Sequence, residues 1–159
     1  MTRRTAAAGS LEVDDLLCFS IYSAAHAFNR IYKPLLDAIG LTYPQFLVMV
    51  ALWAEDDQTV GELGEKLQLE SNTLTPLLKR VESLGYVARR RDESDERVVR
   101  VKLTAQGRAA QAKARDIPRC IGEASGLTQA GADRLRTEIL ALRDSLRQAD
   151  RASAGEDEA

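Results

Sequence analysis

Two cysteines give this chain its clearest capacity for redox chemistry. Cys18 lies in the apolar stretch LLCFSIYSAA, and Cys120 follows Pro118 far along the chain. A cysteine thiolate attacks peroxides, and the sulfenic acid that forms can condense with a second thiol to give a disulfide. A buried cysteine that only fills space is the commoner case inside cells. The residues alone therefore leave two interpretations of Cys18, packing or chemistry.

Several other chemistries are excluded by the residue types present. His26, the one histidine, is eight positions from Cys18. On a helix this is about 12 Å along and about 80° round the axis, so no Cys-His dyad forms within the chain. One histidine and two distant cysteines also lack the spacing of metal ligands, and no glycine pattern of a phosphate or dinucleotide loop is present. We predict no metal and no cofactor.

The cellular compartment follows from what the termini and apolar runs contain. No apolar run approaches the roughly 20 residues of a membrane span. The N-terminal MTRRTAAAGS is followed by the acidic LEVDDLL, where an export signal would have an apolar core. We therefore predict a cytoplasmic protein without membrane association. Because that compartment keeps thiols reduced, any pairing of the two cysteines is expected to be a regulated event.

A first helix, from about residue 11 to residue 33, is predicted to carry Cys18. Apolar residues recur at helical spacing in this stretch: Leu17, Ile21, Ala24, Phe28, Ile31 and Leu35. Pro34 is expected to kink or end the helix. Cys18 lies two turns inside it if Ser10 is the cap, and at the end of the first turn if Asp14 is.

A helix-turn-helix is predicted from the next segments. An apolar core helix follows the Thr42-x-x-Gln45 capping box. A short helix then begins with the box Thr59-x-x-Glu62 and ends near QLES, and another runs from a Ser71 cap to Gly85. Two short helices joined by a tight turn form this motif, whose second helix usually enters a DNA groove. The alternating stretches YVARRR and RVVRVKL, separated by DESDE, predict a β-hairpin wing.

A local basic patch makes this segment a candidate for DNA contact. The whole chain has a net charge of −2, but between Ser71 and Leu103 eight Lys and Arg residues outnumber five acids. Hydroxyls, amides and cations on one helix face suit base edges and phosphates. The predicted contacts on the helix are Ser71, Asn72, Thr73, Thr75, Pro76, Lys79 and Arg80, and those on the wing are Arg89, Arg91, Asp95 and Arg97.

Asp95 and Arg97 in the wing have two interpretations. Being two positions apart, they are expected on the same side of the second strand. Arg97 then enters a minor groove while Asp95 orients it, or the two form an ordinary surface ion pair. The spacing does not decide between them.

Helices at both ends are predicted to form a dimer. One runs from about Thr104 to Ile117, where Pro118 breaks it and leaves Cys120 on mobile backbone. The last runs from about Thr128 to Gln148 with a narrow apolar seam: Leu135, Ile139, Leu142 and Leu146. A monomer that folds these helices back on itself is the alternative.

The predicted fold is mainly α with a small β-hairpin wing. A single fold over residues 11–150 contains a winged helix-turn-helix at 42–104, flanked by dimerisation helices at 11–40 and 105–149. Residues 1–10 are expected to be a disordered arm, and residues 151–159 a disordered acidic tail.

The wing and its surroundings resemble the MarR family of winged-helix repressors. The family's wing signature, D-x-R followed by apolar residues and L-T, is present here as Asp95, Arg97, Val98, Val101, Leu103 and Thr104. The stretches LLCFSIYSAAHAFNRIYKPLL, LTYPQFLVMVALW and TLTPLLKR are similar to its organic hydroperoxide regulator branch, of the OhrR type. The resemblance covers about residues 16–107. It implies a homodimeric repressor that binds double-stranded operator DNA when reduced and leaves it when an organic hydroperoxide oxidises Cys18.

The same resemblance assigns roles to three further residues. In that branch two tyrosines donate hydrogen bonds to the sensing cysteine, and they correspond here to Tyr32 and Tyr43. Tyr32 lies 14 residues beyond Cys18, about 21 Å along a helix, so it would have to reach the partner subunit's thiol. Cys120 corresponds to the resolving cysteine of two-cysteine members, which forms an intersubunit disulfide; the alternative is an incidental C-terminal thiol, since single-cysteine members lack it. Tyr22, one turn from Cys18, is a candidate lining residue for an apolar peroxide.

Two rival functions stay open on the sequence alone. A repressor of the same fold could be relieved by a small phenolic or apolar ligand, with Cys18 merely lining the pocket. A thiol peroxidase would use Cys18 and Cys120 as attacking and resolving thiols, but it leaves the winged segment without a role.

Overall fold

Helices make up most of residues 12–156, the part of the chain that the computed structural model describes. A short 3-10 helix (Val13–Asp15) precedes the first of the α-helices. The α-helices in chain order are α1 (Leu17–Asp37), α2 (Tyr43–Ala54), α3 (Val60–Leu67), α4 (Ser71–Ser83), α5 (Ala105–Ala114), α6 (Ile117–Ser125) and α7 (Gln129–Glu156).

A three-stranded antiparallel sheet supplies the wing. Its strands are β1 (Gln58–Thr59), β2 (Val87–Arg91) and β3 (Val99–Leu103), in the order β1-β3-β2. The β2-β3 hairpin confirms the predicted wing, with Val87 opposite Leu103 and Arg91 opposite Val99. The sequence did not predict β1, because two residues are too short to show alternation.

The start of α1 differs from both predicted caps. The helix begins at Leu17 after Leu16, whose side chain makes no capping hydrogen bond, so Asp14 is not the cap. Ser10 and the predicted start at residue 11 lie outside the described residues. Cys18 is consequently the second residue of α1, in its first turn.

Pro34 does not end α1, and that part of the expectation was wrong. The helix continues to Asp37 and includes Pro34. Two residues further on, Leu36 is only 1% exposed and belongs to the core. Burial of the Leu36 side chain offsets the cost of the backbone hydrogen bond that is lost because proline has no N–H to donate.

The helices α2, α3 and α4 begin and end close to the predicted positions. The backbone N–H of Thr42 donates to Gln45 Oε1 at 3.0 Å before α2. Thr59 caps α3 through its hydroxyl, which accepts from the N–H of Glu62 at 3.1 Å. Ser71 is the first residue of α4 and Glu70 its cap, one position from the prediction. Gly85, with φ of +80°, ends this segment as expected.

The core lies between the helix-turn-helix and the sheet. Fully buried side chains come from α1 to α4 and from β3: Leu36, Val48, Met49, Leu52, Leu63, Leu74, Leu78, Val81 and Val101. A Cβ on Gly107 would lie 1.9 Å from the carbonyl oxygen of Tyr86, so only glycine allows α5 to approach the wing this closely. The indole of Trp53 donates to the Gly107 carbonyl at 2.9 Å and fixes the same junction.

The C-terminal helices differ from the sequence expectations in two places. Pro118 follows a break, since α5 ends at Ala114, but it is the second residue of α6. Cys120 is therefore helical, with its N–H donating to the Asp116 carbonyl at 3.0 Å, and the expected mobile backbone was wrong. Proline is tolerated in a first helical turn because its missing N–H has no partner there.

The last helix, α7, reaches Glu156 and so extends into the segment predicted as a disordered tail. Residues 157–159 and the predicted arm at 1–10 lie outside the described residues. The chain divides into two compact units, one up to Ile121 and one from Gly122 onward.

Large apolar side chains on α1 and α7 are exposed in the single chain. On α1 they include Leu17, Ile21, Tyr22, Phe28 and Ile31, and on α7 they include Leu135, Ile139 and Leu146. Residues of the predicted apolar stripe and seam are thus exposed to solvent within residues 12–156. None of the helices in residues 12–156 is both long and apolar enough to span a membrane.

Candidate DNA-binding surface and thiol site

The helix-turn-helix presents one polar face of α4 to solvent. Its apolar face, Leu74, Leu78 and Val81, is completely buried. The turn after α3 is made by Gln68, which adopts the left-handed conformation with φ of +57°. Because the apolar face fixes the rotation of α4 about its axis, the opposite face is held outward.

The predicted DNA contacts of α4 all lie at or near this outward face. Six of them are exposed and Thr75 is half-buried, the six being Ser71, Asn72, Thr73, Pro76, Lys79 and Arg80. Among the described residues, Lys79 and Arg80 have no side-chain ion pair with the protein. Their charges are therefore available to phosphates.

A groove separates the start of α3 and α4 from the wing. It encloses about 400 Å³, and its lining includes Gly61, Ser71, Thr75, Arg97 and Val98. Hydroxyls from α4 and a guanidinium from the wing thus face one space. The structure brings these predicted contacts together.

Asp95 and Arg97 lie in the loop before β3, so neither projects from a strand as predicted. The carboxylate of Asp95 accepts a hydrogen bond from the backbone N–H of Arg97 at 3.0 Å. Asp95 therefore shapes the loop, and the two side chains do not form an ion pair. The Arg97 guanidinium is exposed and has no ion-pair partner among residues 12–156.

Arg89 and Arg91 are engaged within the protein. Arg89 forms an ion pair with Glu82 of α4 at 2.8 Å, and its backbone N–H also donates to this carboxylate. These hydrogen bonds hold the pKa of Glu82 below its usual range, against the effect of burial. Arg91 donates to the carbonyl of Glu96 across the wing loop. Both side chains are therefore occupied by the protein's own groups, not by groups outside the protein.

A carboxylate that sequence reasoning missed lies under the wing. Asp57 accepts from Arg90 Nη2 and from Arg100 Nε, each at 3.0 Å. The Arg100 hydrogen bond, with help from Arg90, holds the pKa of Asp57 below its usual range against its burial. Arg100 also donates to Asp92 of the wing loop at 3.3 Å.

The neighbouring Asp56 joins the same turn to the wing and to α5. Its carboxylate accepts from the backbone N–H of Leu103 at 2.8 Å and pairs with Arg108. Burial opposes ionisation of Asp56, but these bonds and the N–H of Asp57 outweigh it, so the pKa is lowered. The only signal in the sequence was the acidic stretch AEDDQT between two helices, which is also typical of a plain solvated turn.

The thiol of Cys18 is exposed in the single chain, not packed in a core. Cys18 lies in the first turn of α1, the end of a helix at which backbone N–H groups have no partner within the helix. One turn on, Tyr22 contacts Phe19 and forms an edge contact with His26 at 4.3 Å between ring centroids. Phe19 and Tyr22 thus lie within about one turn of Cys18 along α1.

Tyr32 and Tyr43, the tyrosines expected to support the thiol, lie next to each other. Their ring centroids are 4.6 Å apart, and Phe46 lies beside Tyr32 at 6.0 Å. Burial raises the pKa of Tyr32, and the Tyr43 phenol adds to the rise. Both residues are half-buried, and Tyr32 stays a protonated donor at neutral pH. Because α1 is continuous from Cys18 to Tyr32, the tyrosine pair is about 21 Å from the thiol of its own chain.

Cys120 is half-buried in the first turn of α6, and both cysteines are free thiols. The structure does not bring the two together as a disulfide within one chain. In the described part of the chain, no three His, Cys, Asp or Glu side chains cluster as metal ligands.

Comparison with known proteins points to transcriptional regulators. The family described as transcriptional regulator SarA/Rot matches residues 30–113, a segment that holds the winged unit and neither cysteine. The regulator TtmR of Methylorubrum extorquens is 46% identical over 134 residues, which cover 84% of this chain and 69% of that protein. The organic hydroperoxide resistance transcriptional regulator of Bacillus subtilis is 41% identical over 141 residues, covering 87% of this chain and 94% of that protein.

A solved structure shows the same fold on DNA. Reduced AbfR bound to DNA superposes with a TM-score of 0.73 at 36% identity, over 86% of this chain and 93% of that one. AbfR, a protein of Staphylococcus epidermidis, is also known in a disulfide form, which superposes with a TM-score of 0.57 over 86% of this chain and 90% of that one. These relatives are regulators, not enzymes, so the thiol peroxidase alternative is not supported.

Proposed function

Because the chain belongs to the SarA/Rot-type, MarR-like family of winged-helix transcriptional regulators, we propose that it is a redox-sensing repressor. As a reduced homodimer it binds operator DNA in the cytoplasm, and oxidation of Cys18 by an organic hydroperoxide releases it. The observation that carries this proposal is the exposed thiol of Cys18, in the first turn of a helix whose large apolar side chains are exposed within residues 12–156.

DNA binding is supported by free cations on α4 and on the wing. Lys79, Arg80 and Arg97 form no ion pair in the described chain, and Arg97 lines the groove together with Ser71 and Thr75. We propose that α4 enters a major groove and that Arg97 enters the adjacent minor groove. AbfR, at 36% identity, binds DNA in its reduced form.

A homodimer is supported by the exposed apolar side chains of α1 and α7. Leu17, Ile21 and Phe28 on α1 and Leu146 on α7 are each at least 38% exposed. Such a row on two helices is typical of an interface and not of a solvated surface. An antiparallel crossing of two α1 helices would bring the tyrosine pair of one subunit to Cys18 of the other.

The chemistry begins at the thiolate of Cys18. It attacks the terminal oxygen of the hydroperoxide, so that an S–O bond forms, the O–O bond breaks and the alcohol leaves with a proton. Tyr32 and Tyr43 of the partner subunit donate hydrogen bonds to the thiolate, and Tyr22 lines the approach. The Cys120 thiolate of the partner subunit then attacks the sulfenic sulfur, which forms a disulfide and expels hydroxide.

Release follows from the geometry that a disulfide requires. The two Cα atoms must lie within about 7 Å, and we propose that reaching this distance moves the helices that carry them. In a dimer this alters the distance between the two α4 helices, which must stay near 34 Å to fit successive major grooves. AbfR is known on DNA in both its reduced and its overoxidised form, and it is also known in a disulfide form, which supports the disulfide as the state that releases DNA.

The test is a DNA titration of wild type, Cys18→Ser and Cys120→Ser, before and after stoichiometric cumene hydroperoxide. The probe is a duplex selected from a random pool with the reduced protein, and non-reducing gels follow the disulfide. We expect wild type to leave the DNA, Cys18→Ser to stay bound, and Cys120→Ser to form no intersubunit disulfide. Release of Cys18→Ser equal to that of wild type would refute the proposal.

A cleft beside α2 favours one alternative of the same fold. It encloses about 290 Å³, and its lining includes Phe46, Val50, Trp53, Pro118 and the cation of Arg115. This mostly apolar lining suits a small phenolic ligand. A Cys18→Ser protein that is insensitive to peroxide but leaves DNA on adding such a phenol would assign release to this cleft.

A further inference from the structure

We propose that Asp57 positions the wing for DNA binding, by holding Arg90 and Arg100 from the turn between α2 and β1. This inference rests on the proposed DNA-binding function. Asp57 itself lies outside the proposed DNA contacts. Asp57 acts through the wing loop, and its role is therefore one of positioning.

The arginines held by Asp57 face each other across the hairpin. Arg90 of β2 and Arg100 of β3 are register partners in the sheet. Like charges directly opposite each other destabilise a strand pair. The Asp57 carboxylate offsets this repulsion, because one oxygen accepts from Arg90 and the other from Arg100, each at 3.0 Å.

The same arginines continue the connection to the base of the wing loop. Arg100 reaches Asp92 at 3.3 Å, and Arg90 reaches Glu93 at 3.6 Å. The N–H of Asp92 donates to the Val98 carbonyl at 2.8 Å, which closes the loop that carries Arg97. A path of ion pairs therefore runs from Asp57 to the loop that presents the free guanidinium.

Partial burial distinguishes this path from ordinary surface ion pairs. The side chains of Asp57, Arg100 and Asp92 are 30%, 27% and 17% exposed, whereas that of Glu93 is 94% exposed. Pairs that are shielded from solvent are screened less by salt and hold their geometry better. Glu93 consequently offers a matched control in the same loop.

The turn that carries Asp57 is itself fixed to the core. Buried Gln58 donates to the Ala51 carbonyl at the end of α2, and Asp56 accepts from the N–H of Leu103. Asp57 has φ of +57°, a conformation in which Asp and Asn are the best tolerated residues after glycine. Asp57→Asn therefore removes the charge without adding backbone strain.

The test compares Asp57→Asn with Glu93→Gln in titrations of a selected duplex of about 30 base pairs, long enough for two half-sites one turn apart. Both variants remove one negative charge beside the same arginine, so a general charge effect acts equally on both. We expect Asp57→Asn to bind about tenfold more weakly, the order of loss for one specific contact, and Glu93→Gln to stay within about twofold of wild type.

A double-mutant cycle with Arg97→Ala tests whether Asp57 acts through the wing loop. If it does, Asp57→Asn weakens binding much less in the Arg97→Ala background than in wild type. Hydroxyl-radical footprints of Asp57→Asn should lose the wing's minor-groove protection and keep the rest. Arg100→Lys, which keeps the charge and loses the planar fork, should reproduce these effects if Asp57→Asn does not fold.

The inference would be overturned if Asp57→Asn and Glu93→Gln bound the duplex with equal affinity. It would also be overturned if the losses of binding free energy caused by Asp57→Asn and Arg97→Ala were fully additive in the double mutant. If wild type itself does not bind DNA selectively, the proposed function fails instead, and the two failures are distinguishable. Melting temperatures of every variant show whether any loss of affinity is a loss of folding.

Discussion

Replacing Lys79 with alanine should change how DNA affinity depends on salt. Lys79 is exposed on the outer face of α4, two turns beyond Ser71, and has no ion-pair partner in the described chain. Alanine is the best helix former, so the substitution leaves α4 intact. The perturbation is therefore the loss of one cation per subunit from the proposed DNA-binding surface.

The magnitude follows from counterion release. Each phosphate neutralised by a protein cation contributes about 0.9 to the slope of log affinity against log salt concentration. The proposed dimer carries two copies of Lys79, so the slope should become shallower by about 1.8. Between 50 and 200 mM salt, the loss of affinity should be about tenfold smaller for Lys79→Ala than for wild type.

The assay is a fluorescence anisotropy titration of the reduced protein at four salt concentrations, on the selected duplex and on an unrelated one. Lys33→Ala is the control, since it removes the same charge from α1, where Asp37 compensates it at 2.9 Å. Both duplexes should show the shallower slope with Lys79→Ala and the unchanged slope with Lys33→Ala. An unchanged slope for Lys79→Ala would remove this residue from the phosphate contacts.

Four further predictions concern the thiol, the wing, the dimer and the core. Tyr32→Phe should slow the formation of sulfenic acid on Cys18 by removing a protonated donor, and an unaltered trapping rate would mean that this hydroxyl does not support the thiolate. The pKa of Asp92 is about 2, lowered mainly by hydrogen bonds from Ser94 and also by Arg100. The stabilising effect of the ionised Asp92 carboxylate is therefore present above the unfolded pKa of about 3.8 and is lost as the pH falls toward 2. Asp92→Asn lacks this carboxylate. Its free energy of unfolding, measured by denaturant titration, should therefore fall less than that of wild type over this pH range. Leu146→Ala, at a 62% exposed position, should weaken the dimer in sedimentation experiments, whereas Leu52→Ala, at a fully buried one, should lower the free energy of unfolding by about 2–5 kcal/mol.

The helices and the hairpin were predictable because local signals define them. The capping residues Thr42 and Thr59 and the left-handed Gly85 mark ends that depend on a few neighbouring residues. Pro34 and Pro118 misled the prediction, since their effect depends on context. Burial of Leu36 carries α1 past the first proline, and a new helix begins around the second.

The charged contacts of the wing were not predictable, because they join segments far apart in the chain. Asp57 and Arg100 are 43 residues apart, and their proximity depends on β1 pairing with β3. β1 itself has too few residues to show a pattern. The position of Cys18 in the first turn of α1 was similarly undecided, because Leu16, the actual cap, has no capping side chain.

Of the eight basic residues between Ser71 and Leu103, only some are available to DNA. The protein's own groups engage four of them: Arg89, Arg90, Arg91 and Arg100. The other four, Lys79, Arg80, Arg97 and Lys102, are exposed and have no ion-pair partner within residues 12–156. Half of the basic patch therefore builds the wing, and the other half is free to meet phosphates. A dimer carries two copies of each of these four free residues, or eight cations. Since each cation contributes about 0.9, this segment contributes at most about 7 to the slope of log affinity against log salt concentration. A contribution well above that value would mean that the wing's ion pairs open on DNA, and Asp57 would then release its arginines instead of holding them.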